Sequence, residues 1–251
     1  MGIEPEIEKI RVKVLGIPVD IVKPEQLEPL VFKLLEKKEP QNIILLSLWD
    51  LLKAKYNSEY RGYVQRAAMV IPISKSLVSG ARFLNGKKPL RYMPFDFVIS
   101  LLNILESRNL SLYLLGGKRN VLLKTEKNIS QTFPRLRIVG RYIGAFKRTD
   151  ENDIIEAIRK SSPSLLLTGK GIRGSELWIA RNSQKIGNGL RLWCSDLFDV
   201  FAEKKKRPSR GAFDAGLEWI GYTFQKPWKF FRFFLYVYYL ILLLIYKIFS
   251  L

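Results

Sequence analysis

Short apolar runs alternate with amphipathic helical patterns along most of the chain. Several runs are apolar at nearly every position, which is typical of parallel strands that are covered on both faces. The alternation predicts an α/β fold built on a Rossmann-like, doubly wound and mostly parallel sheet. Strands are predicted at Ile10–Leu15, Asn42–Leu46, Ala68–Ile71, Ser111–Leu115, Leu136–Val139, Ser164–Thr168 and Leu190–Cys194. Helices are predicted at Pro24–Lys38, Phe95–Ser107, Lys118–Thr132, Glu151–Ser161 and Gly174–Gln184.

An uncharged apolar run, Phe233–Tyr246, follows the basic residues Lys226, Lys229 and Arg232. The run has no polar helical face, so we expect it to bind an anionic membrane rather than to lie on a protein surface. A buried core helix is the alternative for an apolar run of this length. Fourteen residues of helix cover about 21 Å, whereas the hydrocarbon core is roughly 30 Å thick. This length favours a short monotopic or re-entrant anchor over a spanning helix.

The basic stretch Glu203–Arg210 separates two predicted parts of the chain. Residues 1–202 are predicted to form the α/β domain, and residues 203–251 a basic appendage that carries the membrane anchor. The first residues are acidic and polar and do not resemble a signal peptide, so we expect the globular part to stay on the cytoplasmic face of the cell membrane.

The charge balance restricts the partners and the chemistry. A formal net charge of +19 over 251 residues favours a polyanionic partner, either an anionic lipid or a phosphate-bearing substrate. Nucleic acid is disfavoured as a partner, because no zinc-ligand spacing, RNA-binding aromatic motif or helix-turn-helix pattern is present. The absence of His excludes Ser-His-Asp and Cys-His catalysis. The single Cys194 lies in an apolar stretch and is expected in the core, and neither a metal nor a cofactor is expected.

Two predicted strand ends carry glycines that are followed by a helical pattern. The first has Gly116 and Gly117, and the second matches G-x-G-x-x-G from Gly169 to Gly174. Backbone amides at a strand-to-helix turn bind phosphate well. Asp196 follows the second loop at about the distance expected of a dinucleotide site, so a dinucleotide-dependent oxidoreductase is a weaker alternative. Ordinary helix-start glycines explain the same pattern.

Ten segments, which include these two glycine loops, occur in an order and spacing that resemble the WecG/TagA/CpsF glycosyltransferases, glycosyltransferase family 26. The resemblance covers nearly the whole chain, and Gly-Leu-Glu-Trp followed by a basic segment is its most specific part. The segments are Val14–Asp20, Ala81–Gly86, Leu115–Gly117, Phe133–Gly140, Gly144–Phe146, Leu167–Gly171, Glu176–Asn182, Phe198–Asp199, Lys206–Pro208 and Gly216–Ile220 with Lys226–Pro227.

The resemblance implies a domain that binds a UDP-sugar and transfers an N-acetylmannosamine-type sugar to an undecaprenyl-diphosphate-linked acceptor. It implies metal-independent chemistry in cell-envelope polysaccharide synthesis, and it is compatible with a homo-oligomer. The substrate-binding positions that it implies are Ser47, Trp49, Arg91, Gly116, Gly117, Gly144, Gly169, Gly171, Arg173, Ser175 and Glu176.

The chain departs from the family at the proposed catalytic base. The family's Pro-Asp-Gly loop corresponds here to Pro72-Ile73-Ser74, and an Ile side chain cannot accept a proton. Asp50, Asp96 and Asp199 are the candidate replacements, although helix capping and surface charge explain such residues equally well.

Two further family motifs are altered. The family's Thr-Leu-Asn corresponds to Ser47-Leu48-Trp49, and its Pro-Lys-Gln-Glu corresponds to Arg173–Glu176, which retains only the Glu. A non-catalytic scaffold that binds a nucleotide sugar or a lipid carrier is therefore the main alternative to an active transferase.

Overall fold

A computed structural model describes residues 9–216 and 231–249. Its centre is a six-stranded sheet in the order β4-β3-β8-β7-β5-β6, in which every neighbouring pair is parallel. The predicted α/β fold with a parallel sheet is therefore confirmed. An antiparallel hairpin precedes the sheet. The strands are β1 (Ile10–Val14), β2 (Ile17–Ile21), β3 (Pro40–Leu46), β4 (Met69–Pro72), β5 (Ser111–Leu115), β6 (Arg137–Tyr142), β7 (Leu165–Thr168) and β8 (Gly189–Trp193).

Helices cover both faces of the sheet. On one face, α1, α5 and α6 pack against alternate apolar residues of the strands. On the other face lie the hairpin with α2, α3 and α4, and beside them α7 and α8. The helices are α1 (Pro24–Glu36), α2 (Leu48–Tyr56), α3 (Ser58–Gln65), α4 (Lys75–Asn85), α5 (Pro94–Ser107), α6 (Arg119–Thr132), α7 (Glu151–Ser161), α8 (Glu176–Ile186), α9 (Leu197–Phe201), α10 (Arg210–Ala215) and α11 (Phe231–Ile248).

A buried carboxylate joins the hairpin to the sheet. The side chain of Asp20 is fully buried in β2 and accepts hydrogen bonds from Arg11 Nε at 2.6 Å and Arg11 Nη2 at 2.8 Å. Its Oδ2 also accepts the backbone N–H of Val70 at 2.7 Å. Asp20 therefore satisfies a buried amide of β4 and fixes the hairpin against the edge of the sheet.

Helix α11 packs on the domain, so the expectation that the apolar run could not lie on a protein surface was wrong. Tyr239, Leu242 and Leu243 are buried in the core cluster that also contains the hairpin and α2–α4. The Tyr239 hydroxyl donates to the carbonyl of Ser76 at 3.0 Å. Close contact is possible because Gly80 of α4 has no side chain where the Tyr239 ring lies. The buried-helix alternative thus describes one face of α11.

The opposite face of α11 remains apolar and exposed. It includes Phe234, Val237, Ile241 and Ile245. In residues 9–216 and 231–249, no helix combines the length and the apolarity needed to cross a membrane. The predicted basic collar at Lys226 and Lys229 lies outside the described residues, as do the side chains of Arg232 and Phe233.

Candidate active site

The main cavity, of about 1170 Å³, lies at the carboxyl edge of the sheet. Ligands of open α/β folds bind at this edge because the loops after parallel strands converge there. The loops that follow β3, β4, β7 and β8 all contribute to the lining. Seven predicted site positions line it together: Ser47, Trp49, Asp50, Ile73, Gly171, Ser175 and Glu176.

The strand register places Ser47 beside Ile73, the position of the family's base. Leu46 pairs with Pro72 in the parallel ladder between β3 and β4, and the Ile73 N–H donates to the Leu46 carbonyl at 3.0 Å. Residues 47 and 73 are therefore the next pair beyond the last ladder pair. The apolar side chain of Ile73 borders the cavity at the position where the resemblance implies a carboxylate.

Asp50 brings a carboxylate to this part of the cavity from the neighbouring strand end. Its Oδ2 accepts the backbone N–H of Ser47 at 2.9 Å and the Ser47 hydroxyl at 2.5 Å. The Asp50 N–H in turn donates to Ser47 Oγ at 3.3 Å, which completes a capping box at the start of α2. Asp50 is thus part of a helix cap, as the capping explanation predicted, and it also lines the cavity.

Burial raises the pKa of Asp50, and the nearby Glu176 carboxylate contributes to the increase. The hydrogen bonds from Ser47 lower the pKa of Asp50 but do not cancel the increase. Burial, Asp50 and Glu176 raise the pKa of Tyr60, so its hydroxyl stays protonated next to the carboxylates. A carboxylate with a raised pKa in a cavity is a common feature of general bases.

Glu176 and Ser175 lie across the cavity at the start of α8. Glu176 accepts a hydrogen bond from Lys53 of α2. Ser175 has a φ of +51° and its N–H donates to the Ile172 carbonyl at 3.0 Å. A non-glycine residue in this conformation is uncommon and clusters at functional sites.

Basic residues form a further wall of the cavity. Lys170, Lys205, Lys206 and Arg207 all line it, and the last three belong to the basic stretch that we expected to separate two parts of the chain. Asp196 accepts a hydrogen bond from Lys205 and lies 3.7 Å from Lys170 Nζ. Burial raises the pKa of Asp196, but Lys205 and Lys170 lower this pKa by more than burial raises it, so the net shift is downward. The basic stretch is therefore part of the site.

The predicted substrate ligand Arg91 lies behind the cavity wall. Its Nε donates to the Ile73 carbonyl at 3.0 Å, and its guanidinium stacks on the Phe213 ring at 3.7 Å. It also donates to the Phe213 carbonyl. These contacts connect the loop after β4 to α10, and both Ile73 and Phe213 line the cavity.

The predicted phosphate-binding glycines pack against one another beside the cavity. A Cβ on Gly116 would lie 2.7 Å from the backbone nitrogen of Gly169, which explains the absence of a side chain there. The amides of Gly116, Gly117, Gly144 and Gly169 donate to backbone carbonyls at 2.6–3.0 Å. A diphosphate contact through these four amides would require those hydrogen bonds to break.

Three further predicted residues lie outside the cavity wall. Arg173 is exposed, Asp96 is 3.7 Å from Arg207 Nη1, and Asp199 accepts a hydrogen bond from Lys170 at 3.0 Å. Cys194 is buried as expected, burial raises its pKa, and its thiol donates to the Thr168 carbonyl at 3.1 Å. Within residues 9–216 and 231–249, no three Cys, Asp or Glu side chains are grouped as a metal site.

Sequence reasoning missed several residues that line the cavity. Tyr60 and Tyr63 come from α3, a helix of only eight residues that was not predicted. Tyr236 comes from α11. The run Lys204–Arg207 was a signal in the sequence, but it indicated a boundary as readily as a site.

Comparison with known proteins supports the family resemblance that the sequence motifs indicate. Residues 12–250 match the "Glycosyl transferase WecG/TagA/CpsF family". One similar relative is an N-acetylglucosaminyldiphosphoundecaprenol N-acetyl-beta-D-mannosaminyltransferase from Bacillus subtilis (strain 168). It is 21% identical over 171 residues, which cover 68% of this chain and 66% of the relative, just under two thirds of the relative's length. Because the family match covers nearly the whole sequence, the chain belongs to the WecG/TagA/CpsF glycosyltransferase family.

Proposed function

We propose that this protein transfers an N-acetylmannosamine-type sugar from a UDP-sugar to an undecaprenyl-diphosphate-linked acceptor. One observation carries the proposal: a single cavity contains the family-motif positions Ser47, Ile73 and Glu176 and is walled by Lys206 and Arg207. The Bacillus subtilis relative acts on an acceptor and a sugar of this kind, as its name states. Cell-envelope polysaccharide synthesis is the corresponding role.

The basic wall fits the diphosphate of the donor. Lys205, Lys206 and Arg207 offer several N–H donors to the phosphate oxygens, and such charge-assisted hydrogen bonds are stronger than neutral ones. They would also stabilise the negative charge that develops on the departing UDP. No metal is required for either role.

Asp50 is the base that we assign to the transfer. The bond between the sugar's anomeric carbon and the UDP oxygen breaks, and a bond from that carbon to the acceptor hydroxyl oxygen forms. The hydroxyl proton passes to Asp50, whose carboxylate lines the cavity one strand away from the family's position at Ile73. Ser47 holds the carboxylate in place through two hydrogen bonds.

A non-catalytic nucleotide-sugar or lipid-carrier binder is the second candidate. The observation that favours it is Ile73, which brings an apolar side chain to the position of the family's base. Binding of UDP-sugar without turnover would support this candidate over the first.

Attachment to the cytoplasmic face of the cell membrane is part of the proposal. The exposed apolar face of α11 supports it, because a contiguous apolar patch of this kind marks an interaction surface. The net charge of +19 supports anionic lipid as the partner.

Calorimetric titration of the full chain with UDP-N-acetylmannosamine tests the binding step. We expect Lys206→Ala and Arg207→Ala each to weaken binding about tenfold, since a hydrogen bond to a charged group contributes roughly 1.5–3 kcal/mol. Lys185→Ala, on the exposed surface of α8, is the matched control and should leave affinity unchanged.

Absence of UDP and UDP-sugar binding, together with clear NAD binding, would refute the proposal and favour an oxidoreductase. The oxidoreductase hypothesis has a structural difficulty, because Asp196 is occupied by Lys205 and Lys170. The amides of Gly169 and Lys170 also donate to backbone carbonyls.

A further inference from the structure

A second cavity, the prenyl groove, runs between α4 and α11. It has a volume of about 460 Å³, and its lining includes Ser79, Gly80 and Phe83 from α4 and Leu240 and Leu244 from α11. This volume lies within the usual range of small-molecule sites. Its lining is largely apolar, which suits a hydrocarbon chain better than a polar ligand.

The prenyl groove adjoins the main cavity. Ser76, Ser79 and Tyr236 line both spaces. Lys75, the neighbour of Ser76, lines the main cavity and donates from Nζ to the Ala215 carbonyl at 2.9 Å. A cavity with basic residues in its wall and an apolar groove therefore lie side by side.

We propose that the prenyl groove binds the isoprene units nearest the diphosphate of the lipid-linked acceptor. The inference rests on the proposed function, since that function supplies a polyprenyl diphosphate as the substrate. The diphosphate would lie at the Lys75 end of the main cavity, and the chain would follow the groove along α11. Leu240 and Leu244 face this path and are also exposed, so the distal chain can continue towards the exposed apolar face of the helix.

The position of Tyr239 explains why the groove has a defined floor. Its hydroxyl donates to Ser76 O, and its ring contacts α4 at Gly80. A side chain at position 80 would collide with Tyr239 and separate the two helices. The groove is thus built by a specific contact between α4 and α11.

A chain-length series tests the proposal. The full-length protein in phosphatidylcholine nanodiscs is titrated with inorganic diphosphate, dimethylallyl diphosphate and geranyl diphosphate, with empty discs as the blank. Burial of each added isoprene unit should tighten binding about tenfold or more, because each buried methylene is favourable. Equal affinities for the three ligands would overturn the proposal.

Two matched variants separate the groove from the general apolar surface. Leu244→Asn changes a groove residue, whereas Ile245→Asn changes an exposed residue of α11 outside the groove lining. We expect only Leu244→Asn to abolish the preference for geranyl diphosphate, with UDP affinity unchanged in both. Equal loss in both variants would assign the preference to the exposed face of α11 and overturn the groove.

UDP-sugar titration of the same samples keeps the two proposals distinguishable. UDP-sugar binding without a chain-length preference refutes the groove alone. A chain-length preference without UDP-sugar binding refutes the proposed transferase, and leaves a prenyl diphosphate site without its assigned role.

Discussion

Two side chains that match the family's motifs make structural contacts instead of lining the cavity. Asp20, in the segment Val14–Asp20 that resembles the family, binds Arg11 and the Val70 amide and is remote from the chemistry. Arg91 likewise joins the loop at Ile73 to Phe213. Both residues match the family's motifs, yet each has structural contacts that account for its presence.

Asp20→Ala should destabilise the fold by roughly 3 kcal/mol. The change leaves the Val70 N–H without its buried acceptor and Arg11 without its partner, and breaking such buried pairs is costly. Denaturant unfolding followed by circular dichroism measures the loss. Glu25→Ala, which removes an exposed ion pair with Lys23, should change stability by less than about 1 kcal/mol. A loss at Asp20 no larger than that at Glu25 would contradict this account of the hairpin.

The location of the candidate base could be narrowed but not fixed from sequence. The local sequence does not show which of the candidates Asp50, Asp96 and Asp199 lies at the cavity. Only the register between β3 and β4 brings position 50 to the cavity beside Ile73. Such proximity depends on the pairing of strands that a local pattern does not encode.

At the scale of elements, the local sequence pattern was enough to predict the strands that are buried in the sheet. The six sheet strands were predicted within a few residues, because each contains a short apolar run. Strand β2 was missed because Pro18 interrupts the pattern, and Pro is tolerated there in a two-stranded hairpin. Helices α2 and α3 were missed because they are short and share Asn57, which ends one and caps the other.

Helix α11 shows why an apolar run can be interpreted either as a membrane-binding segment or as a helix packed on the core. Its sequence is apolar all round, so periodicity could not indicate that one stripe packs on α4 while the other is exposed. Removing the helix would uncover the surface of α4 around Gly80, on which Tyr239 and Leu243 pack. Substitution of the exposed stripe is therefore a cleaner test of membrane binding than truncation.

The triple change of Val237, Ile241 and Ile245 to Asn should release the full-length protein from vesicles that contain anionic lipid. These side chains are exposed on α11, and burial of apolar area drives interfacial binding. Flotation of the protein with the vesicles is the readout. The control changes the exposed residues Ile10, Leu90 and Leu123 elsewhere on the surface, and should still float. If both triple variants float equally, α11 is not the attachment element.

At the scale of the whole molecule, distant parts of the chain share one site. The loops after β3, β4, β7 and β8 meet the basic stretch at Lys205–Arg207 and Tyr236 of α11 around the main cavity. The same helix forms the prenyl groove and presents an apolar face to the surroundings. A donor with a diphosphate, an acceptor on a lipid and a membrane could thus be brought together by one fold.

Transfer of labelled N-acetylmannosamine from its UDP-sugar to a short-chain prenyl-diphosphate-linked N-acetylglucosamine tests the central claim most directly. We predict turnover by the unmodified chain and a decrease of about 10²–10⁴-fold in Asp50→Asn, which keeps an acceptor oxygen for Ser47 but cannot take the proton. Asp96→Asn is the matched control and should retain the rate, and Ile73→Asp should add little because Trp49 and Ser175 also differ from the family. Undiminished transfer by Asp50→Asn, or no transfer by the unmodified chain despite UDP-sugar binding, would contradict the claim.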